Sequence, residues 1–202
     1  LWQATPSCGD AFFYFITDDL GIGPEFLGRV RVGTSLASIF GIWCYRTYLQ
    51  DVPIKATLTW TAIASAGLGL SQLLLVTHFN RQLGIPDTLF TFGDDLVLTV
   101  IGQLAFMPLL VLAASLCPPG VEGTLFALLM STFNAGGIVG QELGALLTQA
   151  LGVSTSAEGG TDFSNLFELV LICNLASLLP LFALRFLDEA PQPPPEDGGE
   201  AA

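Results

Sequence analysis

The side chains able to do chemistry in this sequence are few, and each stands almost alone in apolar surroundings. Asp10 is the sharpest case. If the first apolar run leaves a membrane near Thr17 or Asp18, Asp10 lies seven or eight residues inside. That is roughly 11–12 Å at ~1.5 Å per residue, close to the middle of a ~30 Å hydrocarbon core. An unpaired carboxylate at that depth costs about 2.5–3.5 kcal/mol, so it needs a wet cavity, a partner or a proton. Two readings fit: an acid that couples protons or meets a substrate, and a carboxyl satisfied by the neighbouring hydroxyls of Thr5 and Ser7.

Gln103 lies five residues before Pro108. A proline inside a helix removes one amide donor and frees the carbonyl four residues earlier, so Pro108 sets the Leu104 carbonyl free next to Gln103. Pro6 and Pro180 fall inside apolar runs in the same way. Free backbone groups at membrane depth are binding sites in transporters, and proline kinks also occur in bundles that bind nothing. Glu142 shares its run with Gly136, Gly140 and Gly144, a double GxxxG that strips one helix face of side chains and lets another helix approach closely. Glu168 is near the start of the last run, at interfacial depth.

Walker, GxSxG, HExxH and GxGxxG signatures are missing, which speaks against an enzyme. Cys8, Cys44, Cys117 and Cys173 are far apart and His78 is the single histidine, so neither a metal site nor a disulfide framework is indicated. The thiols read as small hydrophobes, and no cofactor is implied.

The elements that must hold these residues follow from composition. Of 202 residues 51% are hydrophobic and 12% charged, about half the charge of an average soluble domain. Mean hydropathy is +0.65. An all-α polytopic membrane protein is expected, with six apolar spans over 1–17, 28–49, 56–77, 96–116, 125–151 and 166–187. Turn chemistry separates them at Gly21 to Pro24, Asp51 to Pro53, Asn80 to Asp95, Cys117 to Gly120 and Gly152 to Asp162. Asp94 and Asp95 then stand just before the fourth span, where carboxylates cap helix amides. Trp43, Tyr45 and Tyr48 beside Arg46 have the composition of a membrane interface, as does His78.

Net charge is −12, with six basic residues in no cluster, so nucleic acid is excluded as a partner. The six cations divide equally between the two sides of a six-span bundle and set no orientation. Residues 188–202 hold five acids and four prolines with no apolar period, the pattern of a disordered tail. The chain opens at Leu1 and reads as part of a longer protein.

Six segments carry a resemblance: LWQATPS at 1–7, PEFLGRVRVGTSLAS at 24–38, NRQLGIPD at 80–87, FGDDLVLTV at 92–100, CPPGVEGTLFALLMSTFNAGG at 117–137 and CNLASLLPL at 173–181. Together they resemble the carboxyl-terminal half of the folate-biopterin transporter family, over nearly all of residues 1–187. That family belongs to the major facilitator superfamily, whose members pair two six-helix halves and work by alternating access. The resemblance implies that the first and fourth spans line a central cavity, placing Asp10 and Gln103 on the path of a folate or pterin. It implies that spans two and five meet a second half, so that Gly136, Gly140 and Gly144 pack on an amino-terminal half or a second copy. Arg29 or Arg31 would attract the anionic glutamate of folate at one mouth, and transport would be coupled to protons. The membrane would be the chloroplast envelope or the plasma membrane. The competing class is a non-transporting six-helix fragment that packs against another membrane chain; a pore fits poorly, because no ring of charge or filter sequence appears.

Deleting residues 190–202 is expected to leave both transport and the melting temperature unchanged, because a Pro-rich acidic segment buries little. A thermal-shift measurement in detergent checks this, and a lower melting temperature would show that the tail docks.

Overall fold

The computed structural model describes residues 3–115, 117, 120–154 and 161–184. Among them extended backbone pairs only at an isolated antiparallel bridge between Ser154 and Asp162, so the fold is all-α. The helices are α1 (Gly9–Tyr14), α2 (Pro24–Cys44), α3 (Ile54–Gly69), α4 (Gln72–Val76), α5 (Phe79–Gln82), α6 (Asp87–Ser115), α7 (Glu122–Ala150), α8 (Leu166–Ala176) and α9 (Pro180–Ala183). α1 runs on as a π-helix over Phe15–Asp19, and α2 does so over Tyr45–Leu49. Among the described residues four stretches are long and apolar enough to cross a membrane: Ile54–Val76, Asp87–Ser115, Glu122–Ala150 and Leu166–Ala183. α2 has the length, at 21 residues, but carries Glu25, Arg29 and Arg31 in its first turns.

Local chemistry explains where several helices start. Gly23 is extended and Pro24 occupies the first turn of α2, a position that needs no amide donor. Asp162 accepts the amide and hydroxyl of Ser164 just ahead of α8, and these donors hold its carboxyl below the usual range. Pro180 opens α9 after a turn over 177–179, so the last run is broken there as its proline implies.

Three expectations are corrected. The first run is not helical from its start: Gln3 to Cys8 is irregular, helix begins only at Gly9, and Pro6 lies in the irregular segment instead of kinking a helix. The Ser7 amide donates to the Gly140 carbonyl at 3.1 Å and Ser7 Oγ accepts the Gly9 amide, so the backbone finds partners outside a helix. The third run breaks at Leu70 and Ser71 into α3 and α4, although it contains no proline. α6 begins at Asp87, directly after Pro86, so Asp94 and Asp95 sit about two turns inside a helix and cap nothing. A carboxylate pair depresses local hydropathy, and this moved the expected start of the span past it. The tail over 188–202 and the end of the last run lie outside the described residues, as do Pro118 and Pro119.

Packing is organised around α6, which lies between α2 and α3. Gly33, Ala37 and Gly41 form a small-residue stripe on α2 that faces Phe92, Leu96, Val100 and Gln103 of α6. The two helices therefore run in the same direction. A Cβ at Gly41 would stand 2.9 Å from Gln103 Cβ and 3.1 Å from the Val100 carbonyl oxygen. A second apolar centre joins α1 and its π-helical extension, through Phe12, Phe15 and Ile16, to Leu75 of α4 and Leu166, Leu169 and Val170 of α8. The small stripe of α2 is thus covered within the chain. What stays bare on α2 is the opposite side, Val32, Leu36, Ile39, Phe40 and Trp43.

Gly41→Leu is expected to destabilise the α2–α6 pair by about 1–3 kcal/mol through overpacking, because both obstructing atoms belong to the neighbouring helix's backbone or first side-chain carbon. Thermal unfolding in detergent measures it; an unchanged melting temperature would show that the two helices separate freely.

Candidate functional site

Polar side chains inside the bundle gather where helix backbone is interrupted. The break between α3 and α4 is served from two sides. Asn174 of α8 donates its side-chain amide to the Gly69 carbonyl at 3.3 Å and to the Val170 carbonyl at 2.8 Å. A Cβ on Gly69 would collide with the Asn174 amide, so glycine is what admits it. From α6, Asp94 meets the Ser71 hydroxyl, which also contacts the Leu68 carbonyl. One break thereby receives a carboxyl, an amide and a hydroxyl within an apolar span. Sequence reasoning missed this group. The available signal was Pro86-Asp87 as a helix start, which puts Asp87, Thr91 and Asp94 on one face at i, i+4 and i+7.

A second cluster closes the α5–α6 turn. His78 adopts a left-handed backbone, φ 53°, which reverses the chain between α4 and α5. Asn80 is fully buried and donates to the Ile85 carbonyl and to Asp87 Oδ1. Arg81 grips Asp87 with Nε and Nη2, the latter at 2.7 Å. His78 Nε2 lies 3.7 Å from Asp19 across the apolar centre's rim. Two buried oxygens on this side have no hydrogen-bond partner among the described residues, Asn80 Oδ1 and Thr91 Oγ1.

The residues singled out from sequence are spread through the molecule. Asp10 is exposed in the first turn of α1. Gln103 is half-buried on the face of α6 turned toward α2, beside Gly41. Arg29 is exposed and paired with Glu25 at 2.6 Å, one turn earlier on α2, and Arg31 is exposed on the same helix. No hydrogen bond or ion pair joins Asp10 to Gln103 or to either arginine among the described residues. Pro108 is buried within α6. Nearby, α6 and α7 leave an apolar cleft of about 170 Å³ lined by Phe106, Ala113, Met130 and Phe133. Glu142 and Glu168 are exposed.

The glycines of α7 are met by irregular backbone of this chain. Gly136, Gly140 and Gly144 form a groove in which the irregular segment Gln3 to Ser7 lies. A Cβ at Gly140 would be 2.6 Å from the carbonyl oxygens of both Gln3 and Thr5, and one at Gly144 would overlap the Ser7 carbonyl. The occupant of this glycine face is backbone. Backbone can come this close only where no side chain intervenes, and the Ser7 amide then reaches the Gly140 carbonyl.

Comparison with known proteins places this architecture. The chain is 53% identical over 186 residues to the folate-biopterin transporter of Synechocystis sp., covering 92% of this chain and 37% of that protein. It is 38% identical over 187 residues to probable folate-biopterin transporter 2 of Arabidopsis thaliana, covering 91% of this chain and 36% of the relative. It is 34% identical over 187 residues to folate transporter 1 of Plasmodium falciparum, covering 93% and 36% respectively. The chain therefore spans somewhat more than a third of the length of these relatives. No solved structure matches it. The model of the BT1 family matches residues 1–198, nearly the whole sequence. With four helices apolar and long enough to span, and relatives named as folate-biopterin transporters, the chain is an integral membrane protein that belongs to the BT1 family.

Proposed function

We propose that this chain is the carboxyl-terminal six-helix half of a transporter that carries folate or pterins across a membrane by alternating access, coupled to protons. The observation that carries the reading is the 53% identity to a folate-biopterin transporter across 92% of the chain. Two elements supplement the four apolar stretches to make six spans: α1 with its π-helical extension, and α2. The irregular segment ahead of α1 is the kind of unwound backbone that transporters place beside substrate. The bare faces of α2 and α7, with Ile39, Phe40 and Trp43 on one and Ile138, Leu143 and Leu146 on the other, are where a second six-helix unit packs. That unit is the amino-terminal half of the same protein or a second copy. The membrane is the chloroplast envelope or the plasma membrane.

Within this reading Asp10 is the coupling or substrate-contacting acid, since it projects from α1 with no partner among the described residues. Gln103 hydrogen-bonds the pterin edge, beside the carbonyl that Pro108 frees. Arg29 and Arg31, exposed near the start of α2, attract the glutamate carboxylates of folate at one mouth.

Uptake of labelled folate and of labelled pterin by membranes holding the full-length protein tests the function directly, and uptake of neither would overturn it. Asp10→Asn is expected to insert and express normally, because neutralising an acid eases insertion. Its uptake against a gradient is expected to fall. Loss of pH dependence alongside that fall assigns coupling to Asp10, whereas a raised KM with pH dependence kept assigns substrate contact. Full activity with an unchanged pH profile would remove Asp10 from both roles.

A further inference from the structure

The Ser71 hydroxyl lies in hydrogen-bond contact with two oxygens, the Leu68 carbonyl of its own chain break and Asp94 Oδ1 of α6. A hydroxyl has one hydrogen to give and lone pairs to receive another. If Asp94 were ionised, both neighbours would be pure acceptors. One of the two oxygen–oxygen contacts would then have no hydrogen between its atoms, in a half-buried site where such repulsion is not diluted by water. A proton on Asp94 resolves the count: the carboxyl donates to Ser71 Oγ, and Ser71 donates to the Leu68 carbonyl.

We propose that Asp94 is a proton-binding site, that it is protonated in this conformation, and that its proton completes the hydrogen-bond chain holding the α3–α4 break against α6. On release, the Asp94 O–H bond breaks and the proton passes to water. The carboxylate then takes the Ser71 hydrogen for itself, and the Leu68 carbonyl keeps only the Ser71 amide, which donates to it at 2.9 Å. The break loses one of its closing bonds. The link between protonation and helix geometry is therefore built into three residues on two elements.

The surroundings suit a proton better than an ion pair. Asp94 is two residues on from Phe92, roughly 200° around the helix at ~100° per residue, so it faces away from α2 and from Glu25, Arg29 and Arg31. Lys55 begins α3 at its far end, roughly 21 Å from Gly69 at ~1.5 Å per residue. On α5, Arg81 is engaged by Asp87, and His78 faces Asp19. Glu122 and Glu142 of α7 are exposed, and α4 carries no charged residue. Asp95, next along α6, is the remaining titratable group close to Asp94, and it disfavours a second negative charge there. One turn earlier on the same face, Thr91 is 2% exposed and its hydroxyl has no partner among the described residues. Asp87, a further turn back, reaches the α5–α6 turn. Asp94, Thr91 and Asp87 thus set oxygens one turn apart from the inside of the span to its end, the spacing a proton route through intervening water requires.

The coupling role of this site rests on the transport reading above; the protonation of Asp94 does not. Infrared difference spectra of the purified full-length protein, recorded between acid and alkaline pH, read it directly. A carboxylic-acid carbonyl band that disappears on the alkaline side is expected in the unmodified protein, is lost in Asp94→Asn and is kept in Asp95→Asn. Ser71→Ala is expected to shift that band, because it deletes the acceptor of the proposed proton, and it decides the matter should Asp94→Asn fail to express. A spectrum with no band sensitive to either Asp94→Asn or Ser71→Ala overturns the proposal. A protein that shows the band but moves neither folate nor pterin overturns the transport reading alone. One that moves them without the band overturns protonation of Asp94 alone.

Discussion

Helices surrounded by lipid gain nothing by hiding apolar surface from one another, so what holds them is close contact and the satisfaction of backbone groups that water cannot reach. Beside the apolar centre of Phe12, Phe15, Leu75 and Leu169, the closest approaches in this bundle answer to that constraint, each made at a residue whose side chain is small or missing. On α2, Gly33 and Gly41 let α6 approach until the Phe92 ring and the Val100 carbonyl occupy the space a side chain would need. At the end of α3, Gly69 leaves room for the Asn174 amide. On α7, Gly140 and Gly144 take in the backbone of residues 3–7. The same device admits, in turn, a helix, a side chain and an unwound strand of chain.

The polar residues obey the complementary half of the rule. Asn174, Ser71 and Asp94 converge on one break, and Asn80, Arg81 and Asp87 converge on one turn, because interrupted helix has carbonyls and amides to be answered. Exposed acids such as Asp10, Glu142 and Glu168 have no such duty. A polar side chain in this protein is therefore informative according to the backbone it faces rather than its depth alone.

Apolar run length made most of the long helices legible, since α2, α6, α7 and α8 all overlap the expected spans. It failed where the decisive partner is remote in sequence. Nothing between Ile54 and Val76 announces a break, because Leu70 and Ser71 sit in an uninterrupted apolar run and the carboxyl and amide that serve the break come from α6 and α8. Charge lowers hydropathy at Asp94 and Asp95 and so mimics a helix start there, whereas Pro86-Asp87 marks the start by backbone chemistry. Gly136, Gly140 and Gly144 announced a packing face; that its occupant is the irregular segment holding Pro6 follows only from the fold. Family membership was legible from contiguous segments, which need no tertiary knowledge.

The lodging of residues 3–7 in the α7 groove also orders events during synthesis. Ser7 and Gly140 are 133 positions apart, so the Ser7 amide waits for its partner while α1 to α6 are made. At about 5–20 residues per second, α7 arrives roughly 7–27 s later. Throughout that interval the groove on α7 does not yet exist, and lipid offers the segment no hydrogen bonds. The seat that Gly140 and Gly144 provide can be filled only once α7 has been made, which makes the docking of this segment a late step in the maturation of the bundle.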